Sequence, residues 1–320
     1  MVPAEIIEFL SVLIYPGFIF IFTLAFFYEW VDRKFVARLQ NRYGPLYAGP
    51  GGILQPFADF IKLLAKEDIT PRAADKTTFR VTPILMLALA LSTLFFIPTA
   101  YTTAVSWFEG DLIFVTFLVS ILVLITLIAA WSSTSTFSTV GGIRVVLQML
   151  GFEIPMTIVM VGPAIVSKTL SITNIALWQY TTGHYFAIYQ PIGLIVLIIC
   201  LLAEIKKAPF DIPEAESELA AGWITEFSGR KLALIRLTTD VELILAGALV
   251  TALFLGGPTG PFGIPSVIFF LIKTTGVILV ISNLRALFAR FRIDQMLGGF
   301  WKYLVPLALL QIILVTLGVG

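Results

Sequence analysis

The chain has 320 residues but only one cysteine, Cys200, and one histidine, His184. A lone cysteine inside an apolar run excludes a disulfide framework and any cysteine-ligated zinc or iron–sulfur site built by this chain alone. His184 sits among aromatic residues in WQYTTGHYFAIYQ, where an interfacial aromatic belt accounts for it better than a metal site. Charge is also scarce: 13% of residues are charged and 58% hydrophobic, with a net charge of +1. That balance excludes an ordinary soluble fold of this length, and no nucleic-acid motif or metal-ligand cluster accompanies it. The polar run SSTSTFST at 132–139 has no neighbouring histidine or lysine base, so it reads as polar packing at a helix end. The opening MVPAEIIEFLSVLIYPG has acids where a secretory signal would carry bases, and it reads as a retained first span. There is no low-complexity segment, soluble domain or internal repeat, which tells against a secondary carrier built from repeats.

Long apolar runs are what the sequence has in abundance. A bilayer core of about 30 Å needs roughly 20 apolar residues per helix. Eight windows meet that need, at about 9–31, 81–100, 111–131, 145–167, 188–206, 232–255, 264–286 and 302–319. None alternates as a lipid-facing barrel strand would, so the expected fold is an all-α polytopic membrane protein. It is expected to form one transmembrane domain over 1–320, with long connections at about 32–80 and 207–231.

Basic residues concentrate in the odd-numbered connections: nine in the first, Arg144 in the third, five in the fifth and four in the seventh. Because short basic loops stay cytoplasmic, both termini are expected outside. The first connection holds YGPLYAGPGG, whose glycines and prolines forbid continuous helix, followed by ILQPFADFIKLLAKE. The latter spaces its apolar residues as an amphipathic helix lying along the membrane surface would.

An ionisable side chain inside a span costs about 2.5–3.5 kcal/mol and needs a partner, a cavity or a function. Glu29, Glu153, Glu204, Arg236, Asp240, Glu242 and Lys273 are the candidates. By helical rise, Glu153, Glu242 and Lys273 fall near the midplane, and Glu29 and Glu204 near the cytoplasmic surface. Arg236 and Asp240, four apart, suit an intrahelical ion pair. Glu242 can meet Lys273 if the sixth and seventh helices pack as neighbours, either as a static pair or as a proton-relay pair. Glu153 points half a turn away from Arg144 and suits a proton or ion pathway.

The segment AEIKKAPFDIPEAESE, 203–218, places Lys206 and Lys207 at the membrane border and uses Pro209 and Pro213 to redirect the chain. Beyond Pro213, EAESELAAGW favours helix. In that reading Asp211, Glu214 and Glu218 share one face, with Glu216 pointing away, and their mutual repulsion raises some pKa values.

These residues carry a resemblance. AEIKKAPFDIPEAESELAAGWITEFSG resembles the fifth-connection signature of the membrane subunit that anchors the peripheral arm of respiratory complex I, the NuoH family, and its relatives in energy-converting membrane-bound hydrogenases. RYGP at Arg42–Pro45, GILQPFADFIKLLAKE at Gly52–Glu67, IRVVLQMLGFEIP at Ile143–Pro155, FLGG at Phe254–Gly257 and RFRIDQMLGGFWKYLVPLAL at Arg290–Leu309 follow in family order. The resemblance implies eight spans in a prokaryotic cell membrane and cytoplasmic odd-numbered loops facing an electron-transfer arm. It also implies a non-catalytic subunit that couples redox chemistry to H⁺ or Na⁺ translocation. The implied pathway acids are Glu153, Glu204, Asp211, Glu214, Glu216, Glu218 and Glu226; Glu29, Asp240, Glu242 and Lys273 join them from the span analysis. The implied peripheral-arm interface comprises Arg42, Asp59, Lys62, Lys66, Glu67, Arg144, Arg290, Arg292 and Asp294.

Partners implied by the resemblance are a hydrogenase-like large subunit, iron–sulfur subunits, antiporter-like membrane subunits and the lipid bilayer. No cofactor is expected in this chain; iron–sulfur clusters, with nickel–iron in the hydrogenase case, would belong to the partners. One departure concerns the usual LAEY, here LTTD at Leu237–Asp240, so the family glutamate position is Thr239. Together with Lys206-Lys207 and FDIPEAESE, this block resembles the archaeal hydrogenase or sulfur-reductase branch, which uses ferredoxin electrons. The alternatives are the quinone-site subunit of an NADH:quinone-type oxidoreductase, a stand-alone secondary transporter centred on Glu242 and Lys273, and a purely structural anchor.

Overall fold

The structure, a computed structural model, describes residues 12–260 and 265–318, and only the backbone of residues 216 and 217. Parts of the expected first, seventh and eighth spans, both termini and the Glu216 side chain therefore lie outside the described residues. The described chain is helical: α1 Phe18–Leu39, α2 Gln55–Ala65, α3 Lys76–Phe95, α4 Asp111–Ser132, α5 Thr136–Ser167, α6 Ile172–Thr182, α7 Pro191–Glu204, α8 Gly229–Phe254 and α9 Ser266–Leu287. The last helix, α10, runs over Ile293–Thr316 and is π-helical across Phe300–Leu304. No strand occurs among the described residues.

Each of the eight apolar windows corresponds to a helix. Six of those helices, α3, α4, α5, α8, α9 and α10, are long and apolar enough to cross a membrane. The other two differ for physical reasons. Helix α1 is 22 residues long but carries Glu29, Asp32, Arg33, Lys34 and Arg38 in its second half. Helix α7 has 14 residues, about 21 Å at the usual helical rise, because a left-handed residue, Lys206 at φ +60°, ends it early. Helix α6 was not anticipated; it occupies part of the sequence read as an outward loop. Helix α5 begins earlier than its apolar window, so the SSTSTFST run becomes its first turns, where Ser138 donates to the Trp223 carbonyl at 3.4 Å.

Helix α8 is the axis of the bundle. Every residue from Val241 to Phe254 is buried, as expected of a helix that is apolar all round. It packs against α1, α2, α3, α6, α7 and α9, while α5 packs against α4, α7 and α10. Small residues let α5 approach its neighbours closely. A Cβ on Gly142 would come within 2.6 Å of the Ala130 Cβ on α4, and one on Gly141 within 2.5 Å of the Trp223 backbone nitrogen.

The amphipathic helix α2 is present. Phe60 packs onto Phe26 of α1 at 5.6 Å, while Leu54, Phe57, Ile61 and Leu64 form an exposed apolar row. Its following segment is fastened to the start of α8. Ser228 Oγ accepts from the Ile69 amide at 3.0 Å, and the buried Lys231 donates to Asp68 at 2.6 Å and Thr70 at 2.9 Å.

Candidate functional site: a buried charge cluster

Two adjacent lysines organise the site. After α7 ends, the left-handed turn at Lys206 carries its side chain back beneath the bundle, and Lys207 follows in another direction. Neither marks a solvated membrane border as expected: Lys206 is 7% exposed, and the Lys207 side chain is 11% exposed. An ammonium held this deep needs anionic partners, and each lysine has its own set.

Lys207 Nζ lies 2.8 Å from Asp32 Oδ2 and 3.4 Å from Glu29 Oε2, both on α1. Asp32 is fully buried; it also accepts from Ser282 Oγ at 2.6 Å and from Arg285 Nη1 at 2.5 Å on α9. Glu29 accepts from Arg33 at 2.6 Å, and Arg33 reaches Asp59 of α2 at 2.7 Å. Asp240 of α8 lies against the Glu29 carboxyl. The expected Arg236–Asp240 ion pair is absent among the described contacts; Arg236 is exposed at the cavity wall. Burial lowers the Lys207 pKa, but Glu29 and Asp32 outweigh it and hold the ammonium above its ordinary value.

Lys206 Nζ lies 3.5 Å from Glu242 Oε2 on α8. The expected Glu242–Lys273 pair is therefore corrected. Lys273, in the second turn of α9, donates to the carbonyls of Leu255, Gly257 and Thr259 at 2.7, 2.9 and 2.8 Å. It caps the far end of α8, because three carbonyls left free where the helix stops attract a cation more directly than a carboxylate many turns away.

The three loop acids do not form one face. Only Glu216–Leu219 is helical, followed by a tight turn at Gly222 with φ +58°. A Cβ there would lie 1.8 Å from the Pro213 carbonyl oxygen, so the chain folds back on itself and overrides the helical propensity of EAESELAAGW. Each acid finds a different base. Asp211 meets Arg290 at 3.0 Å, and Glu218 meets Arg144 at 2.6 Å. Glu214 lies among Lys206, Asp211, Glu242 and Arg236. The hydrogen bond from Arg144 and its charge hold the Glu218 carboxyl below its ordinary pKa. Burial pushes the Glu214 carboxyl up against the opposing pull of Lys206.

Glu153 stands apart. It faces α4, where Ser120 Oγ donates to its carboxylate. One and a half turns earlier, the buried Gln148 donates to the carbonyls of Ala203 and Phe210 at 2.6 and 2.9 Å, joining α5 to the fifth connection. Glu226 is half-buried in the turn before α8. Arg42, Lys62, Lys66, Glu67, Arg292 and Asp294 are exposed, while Asp59 is bound to Arg33 and Gln55.

Two polar cavities of about 530 and 510 Å³ open beside the cluster. The first is lined by Lys206, Lys207, Asp211, Glu214, Arg285 and Arg290, and the second by Glu29, Arg33, Arg236 and Asp240 among others. A third cavity of about 630 Å³ is almost wholly apolar, lined by Phe22, Phe26 and Phe27 of α1, Phe57 and Phe60 of α2, and Leu234 and Leu237 of α8. The apolar cavity and the Glu29–Asp240 cavity share helices α1 and α8 as walls.

Asp32, Lys206, Lys207, Arg285 and Gln148 are site residues that sequence reasoning missed. Asp32 escaped because the first apolar window closed one residue before it. Its spacing of three from Glu29, on the same helix face, is a usable signal.

Residues 11–316 match the NADH dehydrogenase family model. An NADH-quinone oxidoreductase H-type membrane chain of Syntrophobacter fumaroxidans is 37% identical over 298 residues, covering 90% of this chain and 89% of the relative. The corresponding NADH-quinone oxidoreductase chain of Dehalococcoides mccartyi is 37% identical over 298 residues, covering 93% and 83%. That of Thermomicrobium roseum is 36% identical over 306 residues, covering 90% and 89%. With its all-helical bundle and buried charge cluster, this chain belongs to the NADH dehydrogenase family, the NuoH-type membrane subunits of complex I.

Proposed function

We propose that the chain is the quinone-site and ion-coupling membrane subunit of an NADH:quinone-type oxidoreductase. The carrying observation is the apolar cavity of about 630 Å³ that shares the walls α1 and α8 with the polar cavity of Glu29, Arg33, Arg236 and Asp240. A prenylated quinone has an apolar tail and a polar head, and this arrangement supplies aromatic walls for one beside hydrogen-bonding groups for the other. The names of the relatives, all NADH-quinone oxidoreductase subunits, support this reading over the hydrogenase or sulfur-reductase branch suggested by the Lys206-Lys207 and LTTD variants.

In this reading the exposed Lys62, Lys66, Arg292 and Asp294 meet an iron–sulfur-bearing peripheral arm on the cytoplasmic side of a prokaryotic cell membrane. The chain itself transfers no electrons. Quinone reduction near Glu29 and Asp240 changes the charge that Lys207 and Asp32 experience, and Lys206, Glu204 and Glu242 carry that change inward. Charge displacement then passes by way of Glu153 to antiporter-like membrane subunits, with H⁺ or Na⁺ as the transported ion.

The test is labelling of the purified complex with a photoreactive prenyl-quinone analogue. Crosslinks on α1, α2 or α8 that excess quinone competes away are expected. Absence of competed crosslinks, with ferredoxin-driven hydrogen or sulfide production that needs no quinone, would instead establish the hydrogenase or sulfur-reductase branch.

A further inference from the structure

Lys206 occupies an unusual backbone position for its residue type. Its φ of +60° falls in the left-handed region where glycine or asparagine commonly follows a helix. A β-carbon there is disfavoured, and the turn keeps a long cationic side chain beneath α7 instead of releasing it to water. Its Nζ lies 3.5 Å from Glu242, and Glu204 and Glu214 are its other anionic neighbours.

The surroundings of this ammonium are unevenly supplied with partners. Glu204 and Glu242 are each 1% exposed. Among the described residues, Glu204 Oε2 and Glu242 Oε1 have no hydrogen-bond partner. Lys206 and Glu214 line the 530 Å³ cavity, and the lining does not include Glu204 or Glu242. One cation thus stands between a cavity-facing carboxyl and two carboxyls behind it.

We propose that Lys206 is a positioning residue for ion coupling: the cation that sits between Glu214 and the buried Glu204–Glu242 pair and sets how many of these carboxyls are charged. The inference rests on the coupling role proposed above. A buried carboxylate is tolerated when a cation compensates it, and otherwise takes up a proton to become the neutral acid. With its ammonium at Glu242, Lys206 compensates one carboxylate of the pair. Drawn toward Glu214, it leaves Glu242 uncompensated, and Glu242 takes one proton from the cavity side to become a carboxylic acid. The return of the ammonium releases that proton. No electron moves in either step, and the redox reaction supplies only the change of charge that biases the lysine.

The test compares the wild-type complex with K206M, K206R and the double variant K206M/E242Q. Infrared absorption of protonated carboxyl groups, which needs no turnover, should show about one more protonated carboxyl per chain in K206M, and the wild-type level in K206R. In proteoliposomes, ions moved per electron should fall about tenfold in K206M, equivalent to about 1.4 kcal/mol, with electron transfer within about twofold of wild type and ion movement restored in K206R. If K206M fails to assemble, the double variant removes the uncompensated carboxylate. Recovered assembly with lost translocation supports the proposal, and recovered translocation overturns it. An unchanged carboxyl band in K206M, or K206R behaving as K206M does, also overturns it. A failure of the quinone reading is seen separately, as a wild-type complex that reduces no quinone, and leaves the infrared comparison intact.

Discussion

Lys207 Nζ lies 2.8 Å from Asp32 Oδ2, and this contact ties the fifth connection to α1 at the point where Ser282 and Arg285 of α9 also converge. Three segments distant in sequence are thereby joined by one buried carboxylate. Removing either partner leaves an uncompensated charge, whereas removing both does not. D32A and K207M should each lower stability by about 3–5 kcal/mol, and the double variant D32A/K207M by clearly less than the sum. Thermal unfolding of the four proteins in detergent, analysed as a double-mutant cycle, checks this; strict additivity would argue against the coupling.

The turn at Gly222 holds the acidic segment against α5. At φ +58°, with the Pro213 carbonyl 1.8 Å from where a Cβ would sit, the position has room only for glycine. G222A should cost at least about 2 kcal/mol, combining backbone strain with a steric clash. Limited proteolysis should cut G222A between 209 and 228 well before wild type. Equal protection in the two proteins would contradict the fold described for this segment.

Glu218 and Arg144 give the segment a pH-dependent fastening. The hydrogen bond and charge of Arg144 hold the folded pKa of Glu218 below its unfolded value. The contact therefore contributes fully above the unfolded pKa and is lost as pH falls through the depressed folded value. Hydrogen exchange at the amides of 212–219 should rise on acidification below the ordinary carboxylate range. In E218Q it should already be raised at neutral pH and change less with acid. A wild-type profile flat through that range would rule the contact out as a fastening.

Lys273 should matter for stability and not for coupling. K273M leaves the carbonyls of Leu255, Gly257 and Thr259 without their shared donor, at a cost of about 1–3 kcal/mol. Melting temperature should drop while ions moved per electron stay at the wild-type value. A stable K273M complex that no longer translocates would return Lys273 to the ion pathway.

Much of the bundle was legible because apolar length is a direct physical demand of the bilayer. The windows around 111–131 and 232–255 match α4 and α8 closely, and α2 was readable from its apolar spacing. The misses have specific causes. Lys206 and Lys207 were expected to reach solvent, as border lysines do; what turned them inward was a backbone conformation that residue type does not announce. Helix was expected after Pro213 from local propensity, which the Gly222 turn and the close packing of Trp223 on Gly141 override. Lys273 was paired with Glu242 on estimated depth and neighbouring helices alone. Depth does not reveal that three carbonyls meet where α8 ends. Glu29, Glu204 and Glu242 were recognised as buried acids because a charge within an apolar run is visible in any sequence, but their partners became visible only in three dimensions.

The most direct test of the account is the ratio of ions translocated to electrons delivered to quinone, measured in proteoliposomes with the purified complex carrying E242Q. Glu242 lies behind Lys206 and outside the linings of all three cavities, so quinone reduction should continue within about twofold of wild type while translocation falls about tenfold or more, the effect of about 1.4 kcal/mol or more. An E242Q complex that reduces quinone and translocates ions at the wild-type ratio would contradict the account.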